Sequence, residues 1–397
     1  MIAEFYLEPE YWVAILGGLG LMRLLMPHRL LDFTFFSALY LTQFTVHIAL
    51  VPGLHRYLLF CLVFVAAVVL GYRWPRSIAA PVSNPNVDLD QRLILFCKAI
   101  IILYYIPKLI MQPPSFSALE LGLRLEGQQQ NKLLFFMGLA MLGPTAAWVY
   151  DWVQRGRATL LDLVILVLVG LGALASGSKA SVLPMLLAVF GASSYLGTRS
   201  KIKPSTLWTF SIGAAVVMAL MLGIYFPLLS PLDIGDLILY RLAANTDSLE
   251  YLYAVGAKPE AYPFAGIGAL NPFLGKILGT RIDYSIGVWL HGIRYDNWTG
   301  FGPNPGFVID YFGNLGWFGI YPGLVIGLLL KSASRAGNVV GCMYLSFSYF
   351  ALVESTIFYL NILLLVGLYG AAYASVSYRP GRPLPPEQQI PVATPNS

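Results

Sequence analysis

Apolar runs long enough to cross a bilayer recur along almost the whole chain, and no other feature constrains the fold as tightly. Bounded by charges and by Pro/Gly clusters, they lie near 11–27, 31–51, 56–72, 92–111, 132–151, 159–175, 180–197, 206–226, 307–330, 337–353 and 356–376. A spanning helix needs about 20 apolar residues, so these runs read as about 11 (10–13) transmembrane helices. Their hydrophobicity is continuous rather than alternating, which excludes an outer-membrane β-barrel. Only 11% of the residues are charged, against about 25% in soluble domains, too few to coat a soluble globule of this size. The expected class is an all-α polytopic membrane protein. One integral membrane domain covers 1–378, and the Pro-rich composition of 379–397 predicts a disordered tail.

The orientation follows from where Lys and Arg fall. One set of connections holds Arg29; Arg73, Arg76 and Arg92; Arg155 and Arg157; Arg199, Lys201 and Lys203; Lys331 and Arg335; and Arg379 and Arg382. The short connections of the other set hold only Arg56, Arg124, Lys132 and Lys179. The positive-inside rule places the first set in the cytoplasm, so the N-terminus is expected outside and the C-terminus inside. Glu4, Glu8 and Glu10 precede the first run where a signal peptide would be basic, so that span is expected to be retained. The net charge of +5 is then a matter of topology and not a sign of nucleic-acid binding. Cys61, Cys97 and Cys342 lie inside apolar runs and form neither a disulfide framework nor a zinc site.

Within the membrane little ionisable chemistry is expected. Lys98, Lys108, Asp162 and Glu354 fall near span ends, where side chains can snorkel to the surface. Gly319, Gly323 and Gly327 recur every four residues, a pattern for close helix packing or, less commonly, for a ligand groove. The chemistry gathers instead in the external loops, 112–131 and a large, partly helical one at 227–306. Arg124 follows a short interfacial stretch. Lys179 sits in the turn Ser176-Gly-Ser-Lys-Ala-Ser181, where open backbone N–H groups favour an anion, although snorkelling to headgroups explains it equally well. Asp233–Ala254 has the period of an amphipathic helix, and Arg241 falls in the middle of its apolar face. A buried guanidinium must find an anion, either a structural carboxylate or a ligand phosphate.

The densest constellation is Arg281 to Gly306. It holds Arg281, Asp283, Tyr284, Trp289, His291, Arg294, Tyr295, Asp296 and Trp298. Aromatic faces pack on sugar rings and Arg matches phosphate, so the mixture suits a saccharide phosphate. His291 is the preferred general base for a sugar hydroxyl, with Asp283 and Asp296 as competing candidates. A loop histidine without a catalytic part is the plain alternative. No phosphate-binding P-loop, H-E-x-x-H or G-x-S-x-G motif is present, so nothing couples the chain to ATP. The absence of a clear internal repeat weighs against a transporter.

With its many spans, the turn Ser176-Gly-Ser-Lys179 opening a helix and a large external loop late in the chain, the sequence resembles the bacterial O-antigen polymerases, the Wzy-type oligosaccharide repeat-unit polymerases. The loop exit Gly302-Pro-Asn-Pro-Gly-Phe-Val-Ile-Asp-Tyr-Phe-Gly-Asn-Leu-Gly-Trp-Phe-Gly319 is similar to that family's Gly/Pro turn and acidic-aromatic helix entry. Arg281 to Gly292 also fits an R-x10-G pattern of such loops. The resemblance implies a GT-C-like membrane glycosyltransferase at the periplasmic face of the inner membrane. Its donor and acceptor would be undecaprenyl-diphosphate-linked glycans, polymerised into O-antigen or a related surface polysaccharide. Diphosphate binding would fall to Arg124, Lys179, Arg241, Arg281 and Arg294, and sugar stacking to Tyr284, Trp289, Tyr295 and Trp298. No metal or other cofactor is required. Membrane lipid and a chain-length regulator protein are the remaining partners, with no nucleic acid. The alternatives are an O-antigen ligase that transfers glycan to lipid A–core, a transporter or flippase of lipid-linked sugar, and a non-enzymatic scaffold.

Overall fold

The computed structural model describes residues 8–29, 31–74, 87–114, 141–176, 183–197, 200–203, 205, 248–249, 252–253, 286–296, 306–336 and 338–353. Every regular element among them is helical. In chain order these are α1 (Pro9–Leu25), α2 (Phe33–Leu50), α3 (Leu58–Arg73), α4 (Val87–Met111), α5 (Leu142–Arg155), α6 (Leu160–Ser176), α7 (Leu183–Leu196), α8 (Ile286–Tyr295), α9 (Gly306–Leu315), α10 (Ile320–Ala336) and α11 (Val339–Val353). A 3-10 turn, Pro52–Tyr57, joins α2 to α3, and another, Gly316–Gly319, joins α9 to α10.

Four helical stretches are long and apolar enough to cross a membrane: Phe33–Leu50, Gly53–Arg73, Gln91–Met111 and Gly316–Ser334. The exposed faces of the second and third are mainly aliphatic. Leu103 is 71% exposed and Ile110 77%, the arrangement expected where the solvent is lipid. The chain is therefore a helical membrane protein. The runs near 206–226 and 356–376, most of both external loops and the tail lie outside the described residues.

α3 and α10 form the tightest pair, and glycine explains why. A Cβ on Gly71 would overlap the carbonyl of Leu324, one on Gly327 that of Val68, and one on Gly323 would meet Phe64 O at 3.0 Å. Of the glycine stripe read from the sequence, Gly323 and Gly327 are thus a packing face that lets two backbones touch. Gly327→Val is expected to destabilise the bundle by about 1–3 kcal/mol through overpacking, read as a lower unfolding temperature in detergent.

The expected span 307–330 is two helices, not one. Gly313, Gly316 and Gly319 interrupt it, and Gly316 takes a left-handed φ of 55°. The chain folds back so closely that a Cβ on Gly319 would meet Tyr311 O at 2.5 Å. Ring contacts give the direction of α9. Phe307 and Tyr311 stack on Phe64, with centroids 4.6 and 5.5 Å apart, whereas Phe312 meets Phe60 and Tyr57, nearer the start of α3. Gly323 and Gly327 then descend past Phe64 and Val68. α9 therefore runs antiparallel to both α3 and α10, starting midway along α3 and ending near its N-terminal end.

The cations assigned to one side of the membrane gather at one end of the bundle. Arg73 donates to the carbonyls of Leu24 and Leu25 at 2.6 and 2.8 Å, capping α1. Arg29 donates to Ser194 O at 3.1 Å, and the Lys331 ammonium to Trp74 O. The backbone N–H of Lys201 reaches Val153 O, and Tyr195 OH reaches Ala333 O, tying the same helix ends together.

Lys98 corrects the expectation of snorkelling. It is 7% exposed and points inward, with Nζ 2.7 Å from Asp151 Oδ2 and 3.0 Å from Asp162 Oδ1. Arg155 closes a square, donating to Asp151 at 2.8 Å and Asp162 at 2.7 Å. Hydrogen bonding to Asp151 raises the Arg155 pKa still further above its ordinary value. Trp148 Nε1 and the Thr159 N–H and hydroxyl complete the shell of Asp162. Two cations and two anions from α4, α5 and α6 thus cancel inside the bundle. Lys98→Met leaves one negative charge unbalanced and should cost about 3–5 kcal/mol. The double variant Lys98→Met/Asp151→Asn restores neutrality and should recover most of that loss in thermal unfolding followed by tryptophan fluorescence.

Candidate functional site

The candidate residues that the structure describes lie on α8 and at its exit. α8 carries four of them within eight positions, together with Asp296 at its exit. Trp289, 7% exposed, and Leu290, fully buried, join the main apolar core, while Ile293 is exposed. His291 and Arg294, three residues apart and so on one flank, are half-buried. Asp296 adopts a left-handed φ of 50° just past the last turn, a conformation Asp tolerates better than most residues, and its side chain is exposed. Tyr295 is the final residue of α8, described by its backbone position.

α8 packs against α9, and α9 is held by rings from two spanning helices. Phe307 lies 5.0 Å from Phe44 and 6.2 Å from Tyr40 by centroid, in addition to its stack on Phe64. Gly306 begins α9 with φ of 64°, and a Cβ there would meet the Tyr40 hydroxyl at 2.7 Å. Glycine is required at that position both for the backbone angle and for the space. The short helix is buried on every side that its described side chains report, including Asp310 at 6% exposure.

Asp310 is the residue that the sequence reading passed over. A carboxylate midway down a helical bundle in lipid is costly and marks a functional or tightly paired position. The signal was a lone Asp inside the apolar run 307–330, hidden because that run read as an ordinary span. Two fragments of the predicted amphipathic segment also lie among the described residues. Leu249 and Leu252 are buried in the core as its apolar face requires, and a Cβ on Gly53 would meet the Tyr253 ring at 2.5 Å.

Trp289, His291, Arg294 and Asp296 are therefore brought to one short helix and its exit, packed against the buried α9. Arg124, Lys179, Arg241, Arg281, Asp283, Tyr284 and Trp298 lie outside the described residues. Among the described residues no group of three or more His, Cys, Asp or Glu side chains could hold a metal ion. Compared with known proteins, the chain matches no family model, no curated protein and no solved structure.

The anchored and open faces of α8 predict opposite responses to truncation. Trp289→Ala removes a buried indole and should cost about 3–5 kcal/mol. His291→Ala, on the half-open flank, should cost about 1 kcal/mol or less. Unfolding temperatures of the two variants in detergent compare these directly.

Proposed function

We propose that the chain is an oligosaccharide repeat-unit polymerase, a membrane glycosyltransferase acting on undecaprenyl-diphosphate-linked glycans at the periplasmic face of a bacterial inner membrane. The observation that carries this reading is that His291 and Arg294 lie three residues apart, both half-buried, on a short helix that buries Trp289 and Leu290 in the core. In this scheme His291 takes the proton of the acceptor sugar hydroxyl as its oxygen attacks the anomeric carbon of the donor. The bond from that carbon to the diphosphate oxygen breaks, and the electron pair leaves with the lipid diphosphate. Arg294 stabilises the charge that develops there, since a guanidinium matches phosphate oxygens in two-point contact. Arg281, Arg241, Arg124 and Lys179 would supply further cations, and Asp283 and Asp296 are the competing bases. Trp289 anchors the helix, which leaves Tyr284, Tyr295 and Trp298 as the rings for sugar stacking. The scheme needs neither a metal nor a cofactor.

The basic end of the bundle supports the accompanying topology, with that end cytoplasmic and the N-terminus periplasmic. Deleting the gene should remove long surface polysaccharide on gels while a single capped repeat unit persists. Uncapped core with accumulating lipid-linked polymer would instead identify a ligase. Reintroduced His291→Ala or Arg294→Ala, at normal protein levels, should fail to restore polymer. Full-length polymer from either variant removes that residue from the mechanism.

A further inference from the structure

One face of α4 carries Lys98, Ile101, Tyr105 and Lys108 at spacings of three, four and three residues, with Tyr104 beside them. The two lysines lie about 15 Å apart along the axis, one toward each end of the span. Both are equally buried, at 7% exposure. Lys98 meets two carboxylates and balances them. Lys108 meets none. Its ammonium lies 5.5 Å from the Tyr104 ring centroid and 5.6 Å from that of Tyr105. Among the described residues, neither the ammonium nor either tyrosine hydroxyl has a hydrogen-bond acceptor or an ion-pair partner.

The ammonium thus lies beside both rings without an acceptor among the described residues, toward the end of α4 away from the Lys98 square. The rings are held in place: they pack edge to face with centroids 4.9 Å apart, and Gly172 of α6 lies flush against Tyr105, where a Cβ would overlap the ring. Contact with two ring faces offsets part of the loss of water around an ammonium, and the helix C-terminus adds a weak attraction. Neither replaces a counter-charge of the kind that Asp151 and Asp162 supply to Lys98. α6 continues from Gly172 to Ser176, three residues before Lys179.

The geometry points to Lys108, with the Tyr104 and Tyr105 hydroxyls, as a binding site for the phosphate group of a lipid in the leaflet at this end of the bundle. The ammonium donates only, and each phenol can donate beside it, a set that can surround an oxyanion. Burial at the end of a spanning helix selects a ligand that arrives through the membrane. The site rests on these contacts and not on the polymerase reading.

Full-length protein purified in detergent tests it, by native mass spectrometry and thermal shift with three probes: undecaprenyl diphosphate, phosphatidylglycerol and inorganic pyrophosphate. Lys108→Met should weaken binding of a lipid probe roughly tenfold or more, the worth of one charge-assisted hydrogen bond. Lys108→Arg should retain most of the binding. Without ligand, Lys108→Met should unfold at or above the wild-type temperature, because an uncompensated buried charge is removed. Dependence on Lys108 for undecaprenyl diphosphate alone identifies a polyprenyl ligand, and dependence for both lipids a general anionic headgroup. Either result supports the site. Dependence for pyrophosphate alone overturns the lipid source. Equal binding of all three probes by wild type and Lys108→Met overturns the site, as does a clear loss of ligand-free stability, which would reveal a partner within the protein. Lys108-dependent lipid binding in a protein whose deletion leaves polymer intact would sink the polymerase and not the site.

Discussion

In hydrocarbon there is no water to satisfy a stranded charge, so every ionisable group inside the bundle must find its counterpart in the protein or in a ligand. The square of Lys98, Asp151, Arg155 and Asp162 meets that demand where three helices converge. Asp151 and Arg155 share α5, Asp162 opens α6 and Lys98 comes from the interior of α4, so the pairing holds only if the three helices keep one axial register. The cations that cap α1 and bridge α3 to α10 act at the same end. At this end Arg29, Arg73, Lys98, Arg155 and Lys331 all bond to groups of the protein.

At the basic end, cations bond to helix carbonyls and carboxylates of the protein itself. Toward the opposite end of α4, burial of Ile101 and Tyr105 sets the rotation of the helix and with it the place of Lys108. On α8, the buried Trp289 and Leu290 accompany the half-buried His291 and Arg294.

The helical class was legible because lipid imposes one rule everywhere: long apolar runs with charges at their ends. Within the glycine stripe, the packing face at 323 and 327 was legible for a related reason, since its four-residue period has a direct meaning in helix packing. Two features were not legible. The run 307–330 reads as one span because hydrophobicity does not record direction, and only the position of Gly316 hints at the reversal. Lys98 and Lys108 look alike in sequence, both lysines near span ends. Their difference depends on Asp151 and Asp162, which are more than fifty residues away and come together only in the fold. At the candidate site, sequence grouped Trp289, His291 and Arg294 through proximity, whereas assigning one as anchor and two as presented required burial.

The turn between α9 and α10 also serves as a depth gauge. Trp317, Phe318 and Tyr321 are 53%, 72% and 65% exposed, a cluster of rings of the kind that settles at the boundary between headgroups and hydrocarbon. From Trp317 to Ser334 the chain covers about 25 Å, close to the ~30 Å of the hydrocarbon layer. Gly306, at the far end of the ten-residue α9, then lies about 15 Å beneath that boundary. A group docked there sits below the headgroup plane, so a lipid-anchored ligand would reach it sideways through the leaflet, without being lifted out of it.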